Sequence, residues 1–344
     1  RQFAMNDPKI VIIGAGVIGL TTALQLLRVG FGKIHVVANI CQPTRIRHIL
    51  APGPGPSTSR LPPKRNLVAN LHRDKSSFYC EEDKPRDKAH DWWEHVVHDY
   101  RHLDRSEVPE FADWGIKYRT AALDPTTYLT YLRDHSSSPE PADFVVNCAG
   151  LGARDLGGVE DAGVFPVRGQ LVLVENQSDG MYFMPYNKRL GMNPQVAETA
   201  YIIERPLGKG TGLGGTHERL SPEETQNNTK KLQLSSAPDM QVDQGIMQRA
   251  VRMCPKLVPE GAGPEALRVF RHPVGYRPYR EGGTRVELEE MRDDEDEDAA
   301  AAAAAGGRRT LKVVHCYGVG GSGYRLSYGV GSEAVAIIKA ALKV

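Results

Sequence analysis

The sequence lacks the features that mark a secreted, zinc-binding or membrane-spanning protein. Its five cysteines are scattered and form neither a CxxC pair nor a Cys/His cluster with zinc-ligand spacing. An odd, scattered set of this kind favours a reducing, intracellular compartment and predicts no metal site. No apolar run approaches the ~20 residues that a membrane-spanning helix needs. Residues 1–5 also lack the apolar core of a signal peptide.

An excess of charge of either sign is also missing. The 43 Lys and Arg residues balance 42 Asp and Glu residues, and the net charge of +1 argues against nucleic acid as the main partner. At 344 residues and with ordinary composition, the chain suits one large domain or two closely packed ones. The acidic residues are unevenly placed, because none occurs between Asp7 and Asp74.

What is present near the start is a strand, a glycine turn, a helix and a second strand. Residues 9–13 predict a strand, and all of them except Lys9 are apolar and β-branched, as in a buried parallel strand. The segment GAGVIG follows at once, residues 17–29 have a helical pattern, and Gly30 stands where a helix ends. Residues 33–37 predict the second apolar strand.

The spacing of the three glycines has a physical reason in dinucleotide binding. Gly14 permits the tight turn off the strand, Gly16 lets a pyrophosphate approach the backbone, and Gly19 lets the helix pack close to the strand. The helix N-terminus offers free N–H groups and a partial positive charge to the phosphates. The residues predicted to bind the cofactor at this turn are Gly14, Ala15, Gly16, Val17, Ile18 and Gly19.

The carboxylate that usually grips a ribose hydroxyl at the end of the second strand is missing. Ala38 and Asn39 occupy that position, and the Asn39 side chain offers one uncharged carbonyl acceptor. We still predict dinucleotide binding, with contacts at Ala38 and Asn39 and a reduced affinity.

The chain ends with the same succession of elements as it begins. Residues 311–316 predict a strand, residues 317–324 a second glycine-rich turn, and residues 332–342 an amphipathic helix. A single mononucleotide-binding unit does not need the second turn, whereas a flavin does. We therefore expect the two turns to hold one extended cofactor, the first at its phosphates and the second at its other end.

The middle of the chain predicts a further parallel strand, an antiparallel sheet and two helices. Residues 144–150 are apolar except for Asn147, end in glycine and are expected to join the parallel sheet near the cofactor. The antiparallel strands are expected at residues 169–174, 201–203 and 212–216, and the helices at residues 91–100 and 221–235.

Seven segments resemble the FAD-dependent D-amino-acid oxidases, including their D-aspartate oxidase branch and most closely the fungal members. They lie, in the family's order, at residues 11–20, 145–155, 166–174, 201–206, 214–218, 271–278 and 313–328. The most specific are RHPVGYRP at 271–278 and VVHCYGVGGSGYRLSY at 313–328. The resemblance implies an α/β fold in which a Rossmann-like FAD-binding domain is interleaved with an antiparallel-sheet α+β substrate domain.

The domain boundaries expected from this resemblance alternate along the chain. The FAD-binding domain is expected at residues 7–50, 124–165 and 265–344, and the substrate domain at residues 78–123 and 166–264. Residues 51–66 are rich in proline and glycine and are expected to form an irregular loop. Residues 291–309, with an acidic run and an alanine run, are expected to be a low-complexity insertion.

The resemblance also implies the oxidative deamination of D-amino acids. FAD is held non-covalently, the substrate α-hydrogen leaves as hydride to flavin N5, and the imine hydrolyses to a 2-oxo acid and ammonia. O₂ then reoxidises the flavin and yields hydrogen peroxide. The partners are a small D-amino acid and O₂, with a homodimer as one option for the assembly. Family members imply a peroxisomal location, but Ala-Leu-Lys-Val is not the peroxisomal tripeptide, so a cytoplasmic location stays open.

Each site residue has a role that the resemblance supplies. Arg277 clamps the α-carboxylate with its two-pronged guanidinium, and Tyr201 adds a second donor. His217 helps to select the substrate side chain, and a histidine there leaves neutral and acidic substrates open. The backbone of Gly321 faces the substrate amino group. Backbone N–H groups near the second turn stabilise charge on the flavin. The other cofactor contacts are expected at Ala149, Gly150, Arg277, Gly320, Gly321, Ser322, Gly323, Tyr324 and Arg325.

Three departures from the family leave the activity open. The charged pair after the second strand is absent, residues 51–56 replace the family's Ser-Pro-Trp-Ala-Gly-Ala flavin loop, and residues 133–142 are too short for the strand beside the adenine. Residues 41–64 are consistent with a shifted reading frame, because one codon choice for APGPGP encodes Pro-Trp-Ala-Gly-Ala in another frame.

The alternatives to an active D-amino-acid oxidase are a D-aspartate oxidase and a catalytically impaired relative with a binding or structural role. A nicotinamide dehydrogenase leaves the second glycine turn and Arg277 unexplained.

Overall fold

The computed structural model describes residues 8–37, 71–80, 98–123, 142–192, 198–220, 234–292 and 310–343. In chain order the strands are β1 (Ile10–Ile13), β2 (Ile34–Val37), β3 (Leu71–Cys80), β4 (His98–His102), β5 (Trp114–Leu123), β6 (Phe144–Asn147), β7 (Val164–Val174), β8 (Met181–Met184), β9 (Ala200–Glu204), β10 (Thr211–Gly214), β11 (Glu218–Arg219), β12 (Val269–Arg271), β13 (Val274–Arg280), β14 (Arg285–Arg292) and β15 (Thr310–Tyr317). The α-helices are α1 (Val17–Arg28), α2 (Met240–Met253) and α3 (Gly323–Leu342). In this part of the chain, no helix is both long and apolar enough to cross a bilayer.

The chain divides into two compact units, each assembled from separate stretches of sequence. Unit 1 comprises Arg1–Pro63, Leu129–Phe165 and Pro278–Val344, and unit 2 comprises Lys64–Tyr128 and Pro166–Arg277. Residues 265–277, expected in the FAD-binding domain, fall in unit 2 because β12 and β13 pair with β7. The other expected boundaries stay predictions.

Unit 1 is built on a five-stranded sheet in the order β14-β15-β6-β1-β2. Strands β2, β1, β6 and β15 run parallel, and β14 pairs antiparallel with β15. The pleat of β1 buries Ile10 and Ile12 completely, and apolar residues of α1 and α3 complete the core around them. The strand expected at residues 144–150 is confirmed as part of the parallel sheet, although it ends at Asn147.

Unit 2 is built on a larger sheet in the order β11-β7-β10-β9-β8-β3-β5-β4, with β12 and β13 also paired to β7. Antiparallel pairing predominates, and β3 with β8 is a parallel exception. Ile246 and Ala250 of α2 share one buried core with Ile202 and Leu213 of the sheet. The predicted fold class, with a Rossmann-like parallel sheet and a separate antiparallel sheet, is therefore confirmed.

Several local expectations need correction. Residues 98–100, expected in a helix, belong to β4, because main-chain pairing with β5 overrides the helical pattern. Residues 291–292, expected in the low-complexity insertion, end β14, and residues 234–235 are not helical. Helix α3 begins at Gly323 rather than near residue 332. Gly331 lies inside this helix at a close contact with α1. A Cβ there would lie 2.8 Å from the Gln25 side chain, so the glycine allows the two helices to pack closely.

Some expectations concern residues outside the described part of the chain. They are the irregular loop at residues 51–66, the insertion from residue 293 to 309, the helical stretches at 91–97 and 221–233, the shifted-frame segment at 41–64, the short segment at 133–142, and the cofactor contacts at Ala38 and Asn39.

Candidate active site

The glycine turn after β1 is tightly packed at two of its glycines and open at the third. Gly14 has a φ of +111°, and a Cβ there would overlap the carbonyl oxygen of Cys148. A Cβ on Gly19 would overlap the carbonyl oxygen of Gly14, so this glycine brings α1 close to the turn. A Cβ on Gly16 would meet nothing within 4 Å. The space beside Gly16 is therefore open to a ligand.

Helix α1 begins at this turn without a side chain that satisfies its first N–H groups. Gly16 is its N-cap, no side chain accepts a capping hydrogen bond, and the first turn, which includes Val17 and Ile18, contains no acidic residue. The N-terminal end of α1 therefore keeps its partial positive charge and its unused donors for an anion. Ala15 lies within the same turn, immediately before the N-cap residue Gly16.

The second glycine turn leads into α3 in the same way and lies beside the first. Ser322 is the N-cap of α3, with no side-chain capping bond and no acidic residue in the first turn. A Cβ on Gly323 would lie 3.6 Å from Cγ1 of Val17, so the first turns of α1 and α3 are neighbours within unit 1. Gly320 has a φ of +56°, and the ring of Tyr279 covers it.

The remaining predicted residues of this turn are exposed. Gly321, Tyr324 and Arg325 are accessible at the start of α3, and Nη2 of Arg325 donates to Oγ of Ser322 at 3.0 Å. Exposed backbone and side-chain donors thus surround the positive end of the helix.

A third turn of unit 1, after β6, completes the group. Ala149 donates its N–H to Oδ1 of Asn147 at 3.1 Å, and Gly150 has a φ of +60°. A Cβ on Gly14 would lie 3.3 Å from the Ala149 nitrogen, so this turn borders the first glycine turn. Since β1, β6 and β15 are parallel neighbours, their carboxyl ends bring the three turns to one edge of the sheet, the usual place for a dinucleotide.

Unit 2 holds a guanidinium, that of Arg277, with no anionic partner among the described residues. Arg277 lies on β13 over Gly169, where a Cβ would come within 2.6 Å of its Cζ. Its Nη1 donates to the carbonyl oxygens of Thr216 at 3.1 Å and of Arg168 at 3.4 Å. No carboxylate of the described residues pairs with the partly buried Arg277, so its positive charge is not neutralised there.

Tyr201 lies next to Arg277 and has a protonated hydroxyl. It stands opposite Gly214 in the register of β9 and β10, and its ring fills the position that a Gly214 side chain would take. Burial raises the pKa of Tyr201, and the charge and hydrogen bond of Arg277 only partly offset that rise. The phenol is therefore a hydrogen-bond donor near neutral pH.

His217 belongs to the same cluster. Burial, and then the positive charge of Arg277, lower the pKa of His217 below its usual value. The imidazole is therefore neutral near pH 7. The structure thus brings together the three side chains that the sequence singled out in this unit, Arg277, Tyr201 and His217.

A buried polar network supports this cluster and was not expected from the sequence. Gln170 is completely buried, donates its N–H to Oγ1 of Thr216 at 2.9 Å, and donates from Nε2 to Oδ1 of Asp243 at 2.7 Å. Oδ2 of Asp243 lies 2.6 Å from Nδ1 of His272. The signal in the sequence was the run of Arg168, Gly169 and Gln170 inside a strand whose other residues are apolar. Together these bonds fix the main chain that accepts from Arg277.

Comparison with known proteins identifies the family of this chain. The sequence profile of the family described as FAD dependent oxidoreductase (DAO) matches residues 116–337. This chain belongs to that family. The oxidoreductase is 29% identical to a D-amino-acid oxidase of Fusarium vanettenii over an alignment of 380 residues that covers 96% of each chain. It is 27% identical to a D-aspartate oxidase of Talaromyces thermophilus over 265 residues, which cover 70% of this chain and 59% of that protein.

A solved structure shares the fold. The glycine oxidase from Bacillus cereus ATCC 14579 has a TM-score of 0.62 at 15% sequence identity, with 97% of this chain and 95% of that chain covered. The cofactor of this oxidoreductase is FAD, as the sequence predicted. The open space at Gly16 and the two uncapped helix ends of unit 1 fit a cofactor with a pyrophosphate.

The individual contacts to FAD and substrate stay predictions. The expectation that Arg277 also lies beside the flavin concerns both units and stays a prediction as well. Within the described ranges, no three His, Cys, Asp or Glu side chains are grouped so that they could hold a metal ion.

Proposed function

We propose that this protein is a D-amino-acid oxidase that prefers neutral substrates, with Arg277 as the group that binds the α-carboxylate. The observation that carries the proposal is the partly buried guanidinium of Arg277, which donates to two main-chain carbonyls and pairs with no carboxylate in the described part of the chain. A charge that is shielded from water and keeps unused donors attracts an anion strongly. The planar fork of arginine matches a carboxylate better than any other side chain.

Tyr201 supplies a second hydrogen bond to the same carboxylate in this proposal. Its hydroxyl is protonated and lies close enough to Arg277 for a hydrogen bond, so both donors can reach one anion. Two donors on one carboxylate restrict the rotation of a small substrate, which favours the single orientation that hydride transfer needs.

FAD, when bound, supplies the redox chemistry by accepting the α-hydrogen as hydride and passing the electrons to O₂, and the imine product hydrolyses to a 2-oxo acid and ammonia with hydrogen peroxide as the second product. The uncapped N-terminal end of α3, with the N–H groups from Gly320 to Arg325, offers positive potential to the charge that the reduced cofactor carries. Gly321 presents exposed backbone for the substrate amino group in the same proposal.

The choice between neutral and acidic substrates rests on His217. A second carboxylate on the substrate would need a cation, and His217 is uncharged near pH 7 because burial and Arg277 lower its pKa. This supports D-alanine or D-methionine over D-aspartate. D-Aspartate oxidase activity is the second candidate, favoured by the relative of that name in Talaromyces thermophilus.

The first experiment is a visible absorbance spectrum of the protein with added FAD, followed by D-alanine under anaerobic conditions. We expect a flavin spectrum that bleaches on addition of D-alanine. A panel of D-amino acids with peroxide detection then tests the preference, and turnover of D-aspartate without turnover of D-alanine or D-methionine would reject the neutral-substrate proposal.

A substitution tests the role of Arg277 itself. Arg277→Lys keeps the charge but loses the fork, so kcat/KM for D-alanine should fall about tenfold or more, while the visible spectrum still shows bound FAD. Arg271→Lys, at an exposed arginine of β12, is the matched control and should leave kcat/KM unchanged. Equal effects of the two substitutions would count against the assignment.

An impaired relative is the remaining alternative, and the replaced flavin loop at residues 51–56 favours it. A purified protein that stays colourless after FAD addition would support that alternative, and sequencing of the transcript tests the shifted-frame interpretation. The family resemblance also suggests a homodimer and a peroxisomal or cytoplasmic location, which sedimentation analysis and imaging of the tagged protein would test.

A further inference from the structure

A completely buried histidine in unit 1 takes no part in the proposed reaction. His315 on β15 has Nε2 at 2.9 Å from Oε2 of Glu289 on β14, and Nδ1 at 3.2 Å from Nδ2 of Asn147 on β6. Asn147 is also completely buried, and its Oδ1 accepts the N–H of Ala149 at 3.1 Å. A continuous chain of hydrogen bonds therefore runs from Glu289 to the main chain of Ala149.

The direction of each bond in this chain follows from its last member. Because Oδ1 of Asn147 accepts from Ala149, Nδ2 faces His315, and Nδ1 of the ring is the acceptor. Nε2 then carries the proton and donates to Glu289. Burial, and then the charge of Arg285, lower the pKa of His315, which keeps the ring neutral in this one tautomer. The polar groups around the ring are Glu287, Glu289 and Arg285 on β14, Asn147 on β6 and Tyr317 on β15.

The last group in this series of hydrogen bonds, the N–H of Ala149, borders the first glycine turn. A Cβ on Gly14 would lie 2.8 Å from the carbonyl carbon of Cys148 and 3.3 Å from the nitrogen of Ala149. The turn at Gly14 can keep its position only while the main chain at Cys148 and Ala149 keeps its own. A shift after β6 would therefore move the backbone next to the open space at Gly16.

We propose that His315 is a positioning residue for FAD, which acts through Asn147 to fix the turn at Ala149 against the glycine turn at Gly14. The effect passes through hydrogen bonds and packing, without contact between His315 and the cofactor. The proposal rests on FAD as the cofactor of the family and is independent of the choice of substrate.

The test uses two amide side chains that each replace one ring nitrogen. The amide of His315→Asn reaches the position of Nδ1, and the amide of His315→Gln reaches that of Nε2. We expect FAD, titrated into apoprotein and followed by quenching of flavin fluorescence, to bind His315→Asn within about threefold of the native affinity and His315→Gln about tenfold more weakly. The two apoproteins should melt at similar temperatures, because both bury one amide at one site. Equal FAD affinities would overturn the proposal.

A second pair of variants changes Glu289, at the exposed end of the hydrogen-bond series. This test does not require the protein to fold with a substitution at a buried position. Glu289 is 43% exposed, so both replacements there are tolerable. Glu289→Gln keeps an acceptor for Nε2, whereas Glu289→Leu removes it and lets the ring proton move to Nδ1, where it opposes Nδ2 of Asn147. We expect FAD binding to weaken about threefold in Glu289→Leu and to stay unchanged in Glu289→Gln. Equal affinities in this pair would also contradict the proposal.

The coupling through Asn147 has its own measurement. In an Asn147→Ala background, the difference in FAD affinity between His315→Asn and His315→Gln should disappear, because the link to Ala149 is cut. A persistent difference would place the effect of His315 elsewhere. FAD titration needs no amino-acid substrate, so failure here is distinguishable from failure of the proposed oxidase activity.

Discussion

The guanidinium of Arg277 occupies the space that the missing side chain of Gly169 leaves free. A Cβ on Gly169 would lie 2.6 Å from Cζ of Arg277, well inside van der Waals contact. The two residues come from β13 and β7, which pair in the same sheet. Gly169 is therefore required by the shape of the arginine site and not by a turn.

Gly169→Ala should displace Arg277 and weaken substrate binding. We expect KM for D-alanine to rise about tenfold with a smaller change in kcat, because a misplaced guanidinium loses its geometry with the carboxylate. Steady-state kinetics measure both constants. Gly275→Ala is the matched control on β13, since a Cβ there would meet nothing within 4 Å. An unchanged KM in Gly169→Ala would show that the substrate carboxylate is bound elsewhere.

Gly16→Ala should weaken FAD binding without destabilising the apoprotein. The added methyl group would occupy the open space beside the turn, and the φ of −79° at Gly16 is acceptable for alanine. We expect the Kd for FAD to rise by about tenfold or more, with the melting temperature of the apoprotein unchanged. Gly157→Ala, another glycine with no atom within 4 Å, is the control. Native FAD affinity in Gly16→Ala would argue against pyrophosphate binding at this position.

Substrate preference should depend on pH through His217. Its pKa is lowered from the usual 6.5, so the ring gains its charge only at a pH below that value. As the pH falls, kcat/KM for D-aspartate should therefore rise relative to kcat/KM for D-alanine. In His217→Asn this ratio should no longer follow pH in that range, and in His217→Arg it should be raised about tenfold at neutral pH. A ratio that responds to pH identically in the native protein and His217→Asn would exclude His217 as the selecting group.

Asp179 should contribute stability that is lost in acid. Burial raises the pKa of Asp179, but hydrogen bonds from Tyr182, Lys256 and Cys254 outweigh burial and lower the pKa to about 2. Because this value lies below that of an unfolded aspartate, at about 4, the contribution is fully present above pH ~4 and disappears as the pH falls towards 2. The side chain is 37% exposed, so solvent screening reduces the expected contribution to about 1 kcal/mol.

Thermal unfolding of Asp179→Asn between pH 2 and 7 measures this contribution. The variant should melt below the native protein at pH 7, and the two melting curves should converge near pH 2. Asp155→Asn, at an exposed aspartate, serves as the control and should melt like the native protein throughout. A constant difference between Asp179→Asn and the native protein across the pH range would exclude the ionised carboxylate as its source.

Short-range patterns allowed the sequence to predict the parts of the fold that depend on neighbouring residues. The segment around Gly14, Gly16 and Gly19 predicted a strand, a turn and a helix, because the tight turn, the approach of a pyrophosphate and the close packing of the helix each favour a residue without a side chain at these positions. Helix α2 and strand β14 were not predicted. The start of α3 was placed too late, since Gly331 reads as a helix breaker unless its packing against α1 is known.

By itself, the sequence determined the Rossmann-like beginning and end of the chain, the family, the FAD cofactor and the identity of Arg277, Tyr201 and His217 as a group. Only the tertiary structure decided what surrounds them. It placed Gly169 beneath Arg277 and joined His315 through Asn147 to the turn at Ala149. The physical reason is that hydrophobic periodicity and turn chemistry act between near neighbours, whereas hydrogen bonds and steric fit between strands join residues more than 100 positions apart, as between Asn147 and His315.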